Sequence, residues 1–180
     1  MSRRDRLDDD RITAVGLFAE AYAGIAARFA AHLAEHDLAP IEFEVLLRLA
    51  RSPESRLRMT DLSAQTTLTT SGVTRVVDRL ERDRLVHRLA CSSDRRSLYA
   101  VLTAAGHSRL DAVLPGHLAL IDETFTGLFD CDQLAAFLKS LRMVRDAVRP
   151  CAEAGTDAAA DTPAEAGSHV AEPQRDNVAP

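Results

Sequence analysis

Cysteine is scarce in this 180-residue chain. Cys91, Cys131 and Cys151 are odd in number and lack metal-ligand spacing, which argues against a disulfide framework and against a zinc site. A Gly-rich phosphate loop, a nucleophile elbow and a paired metal-ligand motif are all missing, and the polar clusters are too few to build a catalytic site. An enzyme is therefore disfavoured, and neither a metal nor a cofactor is expected. No apolar run is read as reaching transmembrane length. The N-terminus, Met1-Ser2-Arg3-Arg4-Asp5, leads into an amphipathic helix and not into the apolar core of a signal peptide. The expectation is a cytoplasmic protein with no membrane partner. Aromatic residues are few, with two Tyr, six Phe and no Trp, yet 46% of the chain is hydrophobic, enough for one domain to bury a core.

Positive charge is also short overall, with Lys+Arg 22 against Asp+Glu 27 and a net of -5. The deficit is local. From Cys151 to Pro180 there is one basic residue, Arg175, against Glu153, Asp157, Asp161, Glu165, Glu172 and Asp176. This tail, rich in Ala, Asp, Glu and Pro, reads as disordered. Between Arg56 and Arg96, by contrast, nine arginines face five acids, so one stretch of an acidic chain is locally basic.

Within that stretch, Met59 to Leu102 predicts a short helix, a turn, a second amphipathic helix and a two-stranded ribbon. Thr60 is the expected N-cap of the short helix, with Asp61 in its first turn. Thr66, Thr67 and Leu68 form the turn, and Thr69 is placed to accept from the free N–H groups that open the second helix. There Val73, Val76, Val77 and Leu80 recur at i, i+3, i+4 and i+7 and share one face. The other face displays Thr70, Ser71, Thr74, Arg75, Asp78 and Arg79, groups that hydrogen-bond base edges and phosphates in a major groove. Leu85 to Arg88 and Ser97 to Leu102 are strand-prone and flank a polar run, a hairpin or "wing" whose tip carries Asp94-Arg95-Arg96. Read singly, Arg75, Arg79 and Arg82 are a solvated helix face partnered by Asp78 and Glu81. The order helix, turn, helix, basic-tipped hairpin favours double-stranded DNA. The alternative is a winged-helix module that binds protein, for which exposed apolar anchors would be expected in place of hydroxyls and arginines.

Helices flank this unit, giving a mainly α fold with a small β-hairpin wing. Val15, Phe18, Tyr22, Ile25, Phe29 and Leu33 step by three or four along a long first helix. Pro40 suits the first turn of the next, which carries Phe43, Val45, Leu46, Leu47 and Leu49. Thr103 is the expected N-cap of a helix with Leu110, Val113, Leu114, Leu118, Leu120, Ile121 and Phe125, bent near Pro115-Gly116. Asp130 and Gln133 form a near capping box for the last helix, which carries Leu134, Phe137, Leu138, Leu141 and Val144 and ends near Pro150. The expected organisation is one domain over residues 1–150, with a reading unit at about 40–102, dimerisation helices at about 8–36 and 103–149, and the tail at 151–180. Three long amphipathic helices exceed what the small unit needs for its own stability. They imply a two-fold homodimer on a palindromic operator, against the alternative of a helical cap on a monomer.

From about Leu7 to Val148 the chain resembles the MarR-type winged-helix transcriptional regulators, named for multiple antibiotic resistance. The resemblance rests on Pro40-Ile41-Glu42-Phe43-Glu44-Val45-Leu46, on Asp61-Leu62-Ser63, and on two more specific strings. These are Ser71-Gly72-Val73-Thr74-Arg75-Val76-Val77-Asp78-Arg79-Leu80-Glu81 and Asp94-Arg95-Arg96-Ser97-Leu98-Tyr99-Ala100-Val101-Leu102-Thr103-Ala104-Ala105-Gly106. It implies a triangular homodimer joined by the first, fifth and sixth helices, with the fourth helix in the major groove and wing arginines in the minor groove. It further implies a repressor released by a small aromatic or lipophilic effector or by oxidation. By the same resemblance Asp94 orients Arg96, and Arg95 contacts phosphate. Peroxide sensors of this type carry a reactive Cys near the start of the first helix, and none stands there. The urate-responsive branch uses a Trp, which this chain lacks. Cys91, near Arg88 and Arg95, is either a sensor thiol or, more simply, a half-buried hairpin residue. His32 and His36, at i and i+4, read as solvated or interface histidines.

Overall fold

The computed structural model describes residues 7–90 and 97–149. Six α-helices and three short strands follow one another as α1 (Asp10–Ala34), α2 (Pro40–Ala50), β1 (Arg56–Arg58), α3 (Met59–Gln65), α4 (Thr70–Arg82), β2 (Val86–Ala90), β3 (Leu98–Leu102), α5 (Ala104–Thr124) and α6 (Cys131–Val148). Helix boundaries follow side-chain chemistry. The Thr103 hydroxyl accepts from Gly106 N at 3.0 Å and donates to Arg84 O at 2.8 Å, so it caps α5 and ties it to the end of α4. Asp130 and Gln133 close a reciprocal capping box at α6. Gly106 is required by a close approach, because a Cβ there would stand 2.3 Å from Leu85 O.

Two sequence expectations are corrected here. The short helix α3 begins at Met59, and its cap position is Arg58, not Thr60. Thr60 lies inside the first turn, where its hydroxyl donates to Asp61 Oδ1 at 3.3 Å. The cause is a strand that the periodicity does not announce: Arg56, Leu57 and Arg58 pair antiparallel with Val101, Ala100 and Tyr99. The ribbon is therefore a three-stranded sheet in the order β1-β3-β2, and α3 starts directly from its edge. Three residues are too few to display an alternating pattern. Helix α5 runs unbroken through Pro115.

The core lies under α4. Val73, Val76, Val77 and Leu80 are buried against Val45, Leu46 and Leu49 of α2, Leu62 of α3, Val86, Ala100 and Leu102 of the sheet, and Leu110 and Val113 of α5. At about 1.5–3 kcal/mol for each fully buried aliphatic side chain, this face is what holds α4 in place. Polar bonds fix it further. Arg88 on β2 donates through its guanidinium to Asp78 at 2.6 Å and to Glu81, while its backbone N donates to Glu81 Oε1 at 3.1 Å. Asp78 and Glu81 thus partner the sheet and not the arginines of their own helix. Arg88→Ala should lower stability by about 1.5–3 kcal/mol in chemical denaturation, since charge-assisted bonds are lost and two carboxylates are left side by side.

Helices α1 and α6 are packed differently. Of the 25 residues of α1 only Leu33 is buried, and α6 buries none of its 18. Leu17, Phe18 and Tyr22 on α1 and Met143, Val144 and Val148 on α6 are all exposed. Contrary to the sequence expectation, α1 is long and apolar enough, by length and composition, to cross a membrane. Its charges at Glu20 and Arg28 are too widely spaced to interrupt the run of Ala, Gly and larger apolar residues.

Where α1, α2 and α5 meet, three histidines gather. His32 and His36, expected to be solvated or at an interface, are half-buried within the chain, with ring centroids 5.1 Å apart. His32 stacks at 5.6 Å on His117 of α5, which is buried between Phe29 and Phe43, each 4.7 Å away. Gly116 permits this approach, since a Cβ there would meet the His32 ring at 2.8 Å. Burial first, and the neighbouring His32 second, push the His117 pKa below its ordinary value of 6.5. The unfolded chain therefore binds this proton more readily. The stability linked to His117 is present above about pH 6.5 and is lost as pH falls through the lower folded value. Thermal midpoints measured down to about pH 5.5 should decline, and His117→Leu should flatten that decline.

Candidate nucleic-acid interface

The turn between α3 and α4 is built by side chains bonding backbone. Thr66 Oγ1 donates to Leu62 O at 2.8 Å, and Ser63 Oγ donates to Leu68 O at 3.2 Å. At the next helix Thr69 caps as expected, its Oγ1 accepting from Gly72 N at 3.2 Å and lying 3.1 Å from Ser71 Oγ. With the valine face buried beneath, Thr69, Thr70, Ser71, Thr74 and Arg75 are all exposed on one side of α4 and its start. Thr74 Oγ1 donates to Thr70 O at 3.0 Å and keeps its acceptor lone pairs outward. Arg75 makes no hydrogen bond or ion pair within the described residues, so its guanidinium stands exposed among hydroxyls. Such a face carries donors and acceptors for base edges and a cation for phosphate.

Arg79 does not join this group. Its Nε donates to Glu42 Oε1 on α2 at 2.7 Å, and the other oxygen of Glu42 accepts from Ala39 N at 3.0 Å. One carboxylate thereby caps α2 and braces α4. Asp94, Arg95, Arg96 and Cys91 lie outside the described residues.

Three features near this face escaped the sequence reading. Arg56 and Arg58 of β1 flank the Tyr99 ring, their guanidinium carbons 5.0 and 5.8 Å from its centroid. They were counted in the basic balance, but nothing placed them beside the wing. Second, a recess of about 360 Å³ separates Thr74, Asp78 and Arg88 from Arg58 and Ser97. Third, Arg149, at the end of α6, donates to Thr66 O at 2.8 Å, joining the last helix to the turn before α4. That contact spans 83 residues of sequence and has no local signature.

Comparison with known proteins agrees with this geometry. Residues 36–97 match the MarR family. YkoM of Bacillus subtilis (strain 168), an uncharacterized HTH-type transcriptional regulator, is 34% identical over 126 residues, covering 68% of this chain and 80% of that protein. Among solved structures, the MarR family regulator AbsC of Streptomyces coelicolor superposes with a TM-score of 0.75 at 30% identity, over 79% of this chain and 96% of its own. Sco3205, another MarR family regulator of Streptomyces coelicolor, solved in complex with DNA, gives 0.73 at 26% identity over 83% and 91%. The match to YkoM over two thirds of this chain, together with the superposition on AbsC and the family match across the reading unit, shows that the chain belongs to the MarR family of DNA-binding transcriptional regulators.

Proposed function

We propose that this regulator is a cytoplasmic homodimeric repressor that reads a palindromic operator through α4 and the wing and is released by a small aromatic or lipophilic effector. The observation that carries the DNA reading is the exposed, unpartnered Arg75 amid Thr69, Thr70, Ser71 and Thr74, on a helix whose opposite face is fully buried. Direct contacts are assigned to those five residues. Arg79, held by Glu42, acts mainly by setting the helix. At the wing tip, Arg96 enters the minor groove, Asp94 orients it, and Arg95 contacts phosphate, an assignment that rests on the sequence resemblance.

Arg75→Ala should cost about 1–3 kcal/mol of operator binding, measured by titration against the DNA upstream of its own gene, with an unchanged circular dichroism spectrum. Arg96→Ala should weaken binding strongly, whereas Arg95→Ala should chiefly reduce the slope of log affinity against log salt, by about one. Absence of any competitor-resistant complex would favour a protein-binding role instead.

The dimer reading is supported by the bare apolar residues of α1 and α6. An 18-residue helix with no buried residue is unstable on its own chain and is completed by a second copy. Effector binding is supported by a cavity of about 860 Å³ bounded by α1, α2, α5 and α6, within the range of small-molecule sites. Phe18→Glu and Val144→Glu change exposed positions, so their cost to an isolated chain is small. Sedimentation should show a dimer for the natural protein and a shift toward monomer for each variant, with DNA affinity falling by about tenfold or more. A folded monomer of undiminished affinity would refute the interface.

A further inference from the structure

Among the described residues, the wall of the large cavity has one polar side chain, His117, besides the exposed Tyr22. None of those lining residues is Lys, Arg, Asp or Glu. His117 is 6% exposed, and its Nδ1 is buried without a hydrogen-bond partner among the described residues. Buried polar atoms are ordinarily paired, so an unpaired nitrogen on the one imidazole of an otherwise hydrocarbon lining is an unfilled requirement. The two flanking phenyl rings and the stacked His32 cannot meet it by a conventional hydrogen bond.

We propose that His117 is the specificity-determining residue of this cavity, which takes a neutral, mainly hydrocarbon ligand with a single hydroxyl and rejects the corresponding carboxylate. This rests on the reading of the cavity as the effector site. Neutral imidazole offers one N–H and one acceptor nitrogen, and a hydroxyl can answer either, whichever ring nitrogen a modest rotation of the side chain presents. A carboxylate can only accept. It would also have to leave water for a wall whose described residues include no Lys or Arg, and burial and the nearby His32 both oppose a compensating charge on His117. The aromatic rings of Phe29 and Phe43 supply flat apolar contact on either side of the histidine.

Calorimetric titration of the full chain at about pH 7.5 with naphthalene, 2-naphthol and 2-naphthoate tests this on one carbon skeleton. The expected order is 2-naphthol tightest, with 2-naphthoate at least about tenfold weaker. His117→Leu should reduce 2-naphthol affinity by about tenfold and leave naphthalene unchanged, His117→Gln should restore part of the hydroxyl preference, and Tyr22→Phe should leave the preference intact. Equal or tighter binding of 2-naphthoate to the natural protein overturns the proposal without needing any variant, and so does a hydroxyl preference that survives His117→Leu. If naphthalene and 2-naphthol bind alike, the cavity is a ligand site without the specificity argued here. If none of the three binds, the effector-site reading itself fails, and a second copy of the chain fills the cavity.

Discussion

The constraint on which the rest of the molecule depends is the burial of one face of α4. Val73, Val76, Val77 and Leu80 are excluded from water by α2, α3, the sheet and α5, and this fixes the rotation of the helix about its own axis. Once that rotation is set, Thr70, Ser71, Thr74 and Arg75 have nowhere to go but outward. The polar contacts act on this result. Glu42 braces Arg79 from the α2 side, and Arg88 clamps Asp78 and Glu81 from the sheet, so that α4 is held from both sides. Side chains held in place before binding lose little freedom on meeting a partner.

Around this well-packed unit stand helices that bury few of their own residues. The ends of α1 and α6 keep large apolar side chains in water, and the long cavity between them is roofed only in part. Arg149 connects the foot of α6 to the turn leading into α4, and Arg109 of α5 donates to His36 O at the end of α1. Both contacts tie a helix to a segment far away in sequence.

Legibility was highest where chemistry is local. The caps Thr69, Thr103 and Asp130 were readable because each bonds an N–H two or three residues away. The valine stripe was readable because it repeats at the helical period. Strand β1 was not, since three residues contain no period and its pairing partner is more than forty residues distant. The start of α3 was misplaced for the same reason. His117 went unnoticed because an apolar stripe read by hydropathy passes to Leu118, which is 58% exposed, while the histidine one step earlier faces the core. A polar residue in a buried position carries no periodic signal of its own.

By itself, the amino-acid sequence determined the order of the helices, the apolar face of α4 and the caps Thr69, Thr103 and Asp130, all properties of residues close together along the chain. Tertiary structure alone decided which arginines are held by carboxylates. Arg75, Arg79 and Arg88 look alike in sequence, but Arg79 is taken by Glu42 and Arg88 by Asp78 and Glu81, leaving Arg75 exposed. Among the described residues Arg75 alone of the three has no partner, and charge pairing of this kind depends on distances in space that sequence separation does not encode.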